Sequence, residues 1–361
     1  MNELEKLLDY PLGDTLPALG TTLEVGPGVR WLRMLLPFQL DHINLWLLRD
    51  EIEGDAGPIQ GWTIVDCGID DPPTRAAWEQ IFANQLDGLP VLRVIVTHMH
   101  PDHMGLAHWL TERWAQGGRD CRLWISATDY HVALLATTAR TGFGGAATAR
   151  FMAAHGLTDA GWLEQISART NYYVGMVPKV PAHYQRLVDG DALTIGGRRW
   201  VCHVGHGHAP EHMSLHCPEL NTLISGDMVL PRISTNVSVH ETEPDSNPLT
   251  QYLDSIRRTR TAVPADALVL PSHGRPFKGL HTRIEQMITH HDERFAEVLT
   301  ACAEAPQCAA DLLMVLFKRR LDLHQTTFAL GESVAHLHAL WHRGRLARRL
   351  GADGIYRFAL R

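Results

Sequence analysis

The sequence predicts an α/β (α+β) fold, a four-layer αββα sandwich with two mixed sheets face to face and helices outside. Three observations predict it. Short apolar, β-branched runs bounded by Gly, Pro and Asp turns recur between residues 31 and 270, and several are apolar throughout, as strands covered on both faces are. Helical periodicity interrupts these runs at 74–86, 103–116 and 248–261, which supplies outer layers. Beyond Gly279 the strands give way to helical patterns and a final hairpin, so the chain divides into 1–280 and a small domain at 281–361.

A chain of 361 residues with 45% hydrophobic content can bury a sizeable core. Its formal charge of −7 argues against a protein built mainly to hold nucleic acid. The first residues are charged and lack an apolar leader, and no long uncharged apolar run occurs. We therefore expect a cytoplasmic protein with no membrane partner. The six cysteines are scattered without C-x-x-C spacing, which reads as reduced thiols.

Taken in order, residues 1–30 are rich in Gly and Pro and read as an irregular lead-in. Strands follow at 31–36, 43–48 and 61–67, then a helix at 74–86 with Trp78, Ile81, Phe82 and Gln85 at helical spacing. Residues 91–97 form a buried strand bounded by Pro90, and 103–116 the next helix, with Gly117 and Gly118 as its stop. Between them stand His98, His100, Asp102 and His103, on the turn from strand to helix.

Imidazole nitrogens and carboxylate oxygens are the usual ligands of zinc and similar cations. His98 and His100 are two apart and leave extended backbone on one face. Pro101 stiffens the turn, and Asp102 and His103 then point elsewhere. The local pattern suggests two metal positions side by side. With 22 histidines in the chain some clustering is expected; H-x-H-x-D-H at a strand end is far harder to reach by chance.

A strand at 122–126 comes next, then a helical insertion at about 129–180 with candidate helices at 129–138, 146–155 and 160–173. Strands return at 184–188, 192–195 and 199–204, with Asp189-Gly190-Asp191 and Gly196-Gly197 as turns. More follow at 213–217, 222–225 and 267–270, with the 248–261 helix between the last two. The small domain reads as helices at 282–303, 309–317 and 327–342 and strands at 345–349 and 355–360, a winged-helix pattern.

The cluster His98-Met-His100-Pro-Asp102-His103 matches the signature of the metallo-β-lactamase superfamily. Gly207-His208-Ala-Pro-Glu-His212, Ile224-Ser225-Gly226-Asp227 and Leu270-Pro271-Ser272-His273-Gly274 resemble its later motifs, in the family's order. His206 stands where proline is usual and Glu211 where glycine is usual. The resemblance implies that His98, His100 and His208 hold one metal and Asp102, His103 and His273 the other, with Asp227 shared. It implies two divalent ions, zinc first and iron or manganese as alternatives, that activate a bridging hydroxide. Asp102 could also orient the water or relay a proton as a catalytic group. Ile64-Val65-Asp66-Cys67-Gly68 resembles the family's D-x-G strand end, and Asp66 is expected to brace the metal loop. His206 and His212 are read as supporting histidines, Tyr172, Tyr173 and Met176 as candidate wall residues, and the segment Pro231-Arg232-Ile-Ser-Thr-Asn236 as a candidate substrate contact, with Arg232 the group to test.

The expected reaction is hydrolysis of a small-molecule acyl ester, thioester or lactone, in a glyoxalase II-like or β-lactamase-like manner. The alternative is a ribonuclease or phosphodiesterase that grips nucleic acid through Lys318, Arg319, Arg320, Arg343, Arg345, Arg348 and Arg349. Nucleic acid is the less favoured partner, because acidic residues nearly balance these charges. A winged helix on an enzyme more often packs on its catalytic domain or forms a homodimer.

Overall fold

Two mixed sheets face each other across a buried seam. The computed structural model describes residues 3–55, 57–115, 120–138, 144–170 and 172–361. The first sheet runs in chain order: β1 (Leu23–Gly26), β2 (Val29–Leu35), β3 (His42–Gly54), β4 (Gly57–Val65), β5 (Val91–Ile95), β6 (Arg122–Ser126) and β7 (Tyr184–Leu187). Its first four strands are antiparallel and its last three join in parallel. The second sheet contains β8 (Ala192–Ile195), β9 (Arg198–Gly205), β10 (His212–Cys217), β11 (Thr222–Gly226) and β12 (Leu268–Pro271), with β8 and β12 at its edges.

Period-two alternation divides each strand between two cores. On β3, Trp46 and Leu48 enter the seam between the sheets, while Ile43, Leu45 and Leu47 enter the layer under the outer helices. Trp31, Trp46 and Trp200 lie in the seam, with no more than 1% of each exposed. Truncating one of them to Ala would cost about 3–5 kcal/mol. Helices α1 (Pro72–Asn84), α2 (Pro101–Met104), α3 (Ala107–Trp114) and α4 (Ala127–Thr138) lie along the first sheet. Trp78, Leu110 and Ala133 of this set reach its outer core.

The insertion holds α5 (Ala146–Ala154) and α6 (Ala160–Ala168); α7 (Pro248–Ala262) and α8 (Leu280–Glu304) follow. The chain ends with α9 (Leu313–Phe317), α10 (Leu323–His342) and a hairpin of β13 (Leu346–Leu350) and β14 (Tyr356–Leu360). One apolar cluster joins Met152 of α5, Tyr252 of α7, Ile284 of α8 and Leu330 of α10 to Leu223 and Val269 of the second sheet. The C-terminal helices are thus packed on the sandwich through a continuous core.

Several elements differ from the sequence reading. β1 lies inside the supposed irregular lead-in, and β3 runs on to Gly54. The expected helix at 103–116 is two helices, α2 and α3. Its break has a tertiary cause: Leu106 N–H donates to Gly68 O at 3.1 Å, and a Cβ on Gly105 would meet Gly68 O at 2.5 Å. Gln116, Gly117 and Gly118 lie outside the described residues. All six cysteines are buried without disulfides. Among the described residues, no helix is long and apolar enough to cross a membrane.

Candidate metal centre

The predicted donors come from both sheets. β5 ends at Ile95, and the turn after it carries His98 and His100 before α2 opens at Pro101 with Asp102 and His103. The second sheet contributes from three places at the same end: His208 between β9 and β10, Asp227 just past β11, and His273 just past β12. All seven predicted positions converge. His98, His100, His208 and Asp227 place donor atoms within 4.8 Å of one another, and Asp102, His103 and His273 form a second such group. Asp227 lies between them, with Oδ2 at 3.2 Å from His208 Nε2 and Oδ1 at 3.4 Å from His273 Nε2.

Hydrogen bonds fix which nitrogen each imidazole turns inward. His208 Nδ1 donates to Asn236 O at 2.8 Å, and His273 Nδ1 donates to His42 O at 2.8 Å. His103 Nδ1 donates to Asp66 Oδ2 at 2.8 Å, while Thr97 N–H donates to Asp66 Oδ1 at 2.8 Å. Asp66 is therefore a brace for His103, as the sequence indicates, and its φ of +64° bends the chain out of β4 to reach it. His212 also has the supporting role expected of it. It is fully buried, and its Nε2 accepts the Asp227 N–H at 3.0 Å. Gly226 has φ +53°, and a Cβ there would lie 2.2 Å from that same nitrogen. His206 lies apart, with Nδ1 donating to Pro210 O at 2.7 Å.

The unused atoms fit a cation. His98 Nε2, His100 Nδ1 and His208 Nε2 are 2.9, 3.1 and 3.2 Å apart. Tetrahedral zinc with bonds of about 2.0–2.1 Å spaces nitrogens at about 3.3 Å. Toward the second group, His103 Nε2 and the Asp227 Oδ1 that faces it are buried without a hydrogen-bond partner among the described residues. An orphaned pair of that kind is costly unless something fills the gap.

Electrostatics point the same way. Burial, then the neighbouring imidazoles, hold His98 and His100 well below the usual histidine range. Burial opposes charge on His103, yet Asp66, Asp102 and Asp227 push its pKa well above the usual value. Burial likewise acts against Asp227, but His273 and His103 hold its carboxyl well below the usual range. One half of the cluster offers bare nitrogens; the other calls for positive charge.

A cavity of about 390 Å³ opens beside the cluster and reaches His100, Asp102, His208, Asp227 and His273. Its walls are largely apolar, with Leu36, Phe38, Phe151, Met152, Ile166 and Met176 among them. They come from the connection between β2 and β3, the insertion, the 230–241 segment and the start of α10. Tyr172 and Met176 line it as expected. Tyr173 does not, for it is buried with its hydroxyl donating to Met99 O. Arg232 is also off the cavity: it is exposed with Nε 3.9 Å from Glu5, while Ile233, Ser234 and Asn236 beside it form the wall.

Four contributors carry no motif signal: His42, Asn44, Asn236 and His240. His42 Nε2 accepts Gly274 N–H at 2.9 Å, and Asn44 Nδ2 donates to Pro271 O and Gly274 O, so β3 clamps the loop bearing His273. The sequence cue for these two is position at the start of a strand.

Comparison with known proteins accords with this geometry. Residues 295–361 match the family model described as metallo-beta-lactamase-like, C-terminal domain, and that description stands in place of winged helix. A beta-lactamase domain protein from Burkholderia ambifaria is 55% identical, with TM-score 0.92 over 100% of both chains. A metallo-beta-lactamase family protein from Thermus thermophilus is 26% identical, with TM-score 0.73, over 94% of this chain and 100% of that one. The probable metallo-hydrolase YqjP of Bacillus subtilis (strain 168) is 23% identical over 314 residues, 86% of this chain and 91% of that protein. The model of the metallo-beta-lactamase superfamily matches residues 46–273, from within β3 to the last of the clustered histidines. By that match and by its similarity along the whole chain to solved relatives, this protein is a hydrolase of the metallo-beta-lactamase superfamily.

Proposed function

We propose that the protein is a dinuclear metallohydrolase of small acyl esters, thioesters or lactones. The observation that carries the reading is Asp227, whose carboxylate lies between the two donor groups, with Oδ2 3.2 Å from His208 Nε2 and 3.6 Å from His103 Nε2, and Oδ1 3.4 Å from His273 Nε2. His98, His100 and His208 would hold one divalent ion and Asp102, His103 and His273 the second, with Asp227 shared. Zinc suits these nitrogens and carboxylates best, with iron and manganese as alternatives. Bound cations would supply Lewis acidity and lower the pKa of water held between them.

The chain's own residues do the rest. The apolar walls exclude water and hold the body of the substrate, and about 390 Å³ suits a small molecule. Asp102 lines the cavity with Oδ2 at 3.5 Å from His273 Nε2, where it can accept a proton from water or orient it. Asp66, His42, Asn236 and His212 keep the inward donors at fixed angles.

The phosphodiesterase alternative draws less support. Arg348 is held by Asp245 at 2.6 Å and lies over Trp341, and Lys318 pairs with Glu297 at 2.9 Å. Two of the seven basic groups expected to grip phosphate are thus engaged within the protein. Metal analysis of the purified protein, with a panel of thioesters, lactones, esters and RNA, tests the reading. Two metal equivalents with acyl turnover support it. One equivalent, or cleavage of RNA alone, refutes it.

A further inference from the structure

We propose that His240 is a further catalytic residue, one that carries a proton to the leaving group. The inference rests on the hydrolase reading above. His240 lines the same cavity as His100, His208 and Asp227, yet its ring belongs to neither donor group. The imidazole is exposed where it borders the cavity and makes no hydrogen bond among the described residues, so it is free to meet a substrate group there. Two acidic groups of the cavity are occupied: Asp322 caps α10 by accepting Gln325 N–H, and Glu241 accepts from the Thr148 hydroxyl at 3.0 Å, while the His324 ring stacks on Phe38.

The backbone around this ring is held from two directions. On one side Val239 is buried, and its N–H donates to Gly331 O of α10 at 3.2 Å. On the other, Thr148 of α5 holds Glu241, and Glu243 N–H donates to His240 O at 3.1 Å. Close packing leaves little slack, since a Cβ on Gly331 would lie 2.7 Å from Ser238 Oγ. A polar side chain without a partner, on a backbone so fixed, is pre-organised for a partner that arrives with substrate. Burial, opposed by Glu241 and aided by His208, keeps the ring below its usual pKa, so it begins as a proton acceptor.

The step balances as follows. Water gives one proton to Asp102, which passes it to solvent, and the oxygen adds to the carbonyl carbon and forms a new C–O bond. As the intermediate collapses, the remaining proton of the added hydroxyl passes to His240. The bond from carbon to the leaving oxygen or sulfur breaks, and that atom takes the proton from His240. The products are a carboxylate and an alcohol or thiol, with His240 neutral again.

The test compares His240→Gln and His240→Asn with the wild type on esters that share one acyl part. The leaving groups run from p-nitrophenol, which departs unaided, to a simple alcohol, which needs a proton. Both variants should lose about 10²-fold in kcat/KM on the alkyl ester and only a few-fold on the aryl ester, the usual scale of proton-transfer catalysis. Metal content and melting temperature should match the wild type. An equal loss across the series, no loss on the alkyl ester, or a loss that follows metal content would overturn the proposal. Wild-type inactivity on every acyl substrate would instead overturn the acyl reading. The same comparison on aryl and alkyl phosphodiesters would then decide His240.

Discussion

Replacing Asp66 with Asn separates the two halves of the cluster. Asp66 is 1% exposed and sits at φ +64°, a conformation Asn tolerates, so the backbone should hold. Thr97 N–H can still donate to the side-chain oxygen. What is lost is the carboxylate 2.8 Å from His103 Nδ1. An amide there presents N–H to N–H unless His103 changes tautomer, and the change would put hydrogen on Nε2, the donor atom. Removing a brace of this kind costs 10–100-fold in metal affinity, or about 1.4–2.7 kcal/mol. The loss should fall mainly on the Asp102–His103–His273 group, because Asp66 touches His103 directly and reaches His98 only through Thr97 Oγ1, while His208 is held by Asn236. Titration with a graded series of chelators reads it: D66N should release one metal equivalent at weaker chelation than the wild type, and the other at the same point. Parallel release of both, or unchanged release of both, would refute the reasoning.

Three other outcomes are expected. Gly226→Ala forces a Cβ onto His212 Nε2 at a left-handed φ, so urea unfolding should show a loss of at least about 2 kcal/mol, with lower metal content. Burial raises the Glu332 carboxyl from 4.5 to about 7, against the hydrogen bond from Asn236. The folded state then retains a proton the unfolded chain releases, so the stabilisation is complete below pH about 4.5 and is lost as pH rises through about 7. Wild-type melting temperature should therefore fall relative to Glu332→Gln between pH 5 and 8; parallel profiles would refute this. Arg348→Ala removes the contacts to Asp245 and Trp341 and should cost about 0.5–2 kcal/mol in thermal unfolding, leaving RNA binding unchanged from the wild type.

The seven donors were legible because their chemistry leaves few substitutes: only a few residue types bind such cations, and their order along the chain is distinctive. The sandwich was legible for another reason, since strands buried on both faces show up as apolar runs. What the sequence concealed depends on contacts between distant segments. Gly105 breaks a periodic helix because it lies against Gly68 and Ile69, which periodicity cannot register. β1 is four residues with no buried member, so no apolar run announces it. His240 lies beyond the candidate segment 231–236, in a connection whose composition looks like any loop; only the fold shows that α5 and α10 hold it against the cavity. Arg232 was the conspicuous charge of that segment, yet it faces Glu5, and the smaller residues after it form the wall.

Apart from the clustered donors at its floor, the cavity is built by segments that the metal-bearing strands do not include: the β2–β3 connection, α5, α6, the 230–241 connection and the first turns of α10. Chemistry and selectivity are thereby carried by separate pieces of chain. Exchanging only α5 and α6, while keeping Asp129 and Tyr173 that hold Met99 of the metal loop, should redirect the enzyme to new compounds and leave its cation chemistry intact, a natural starting point for directed evolution.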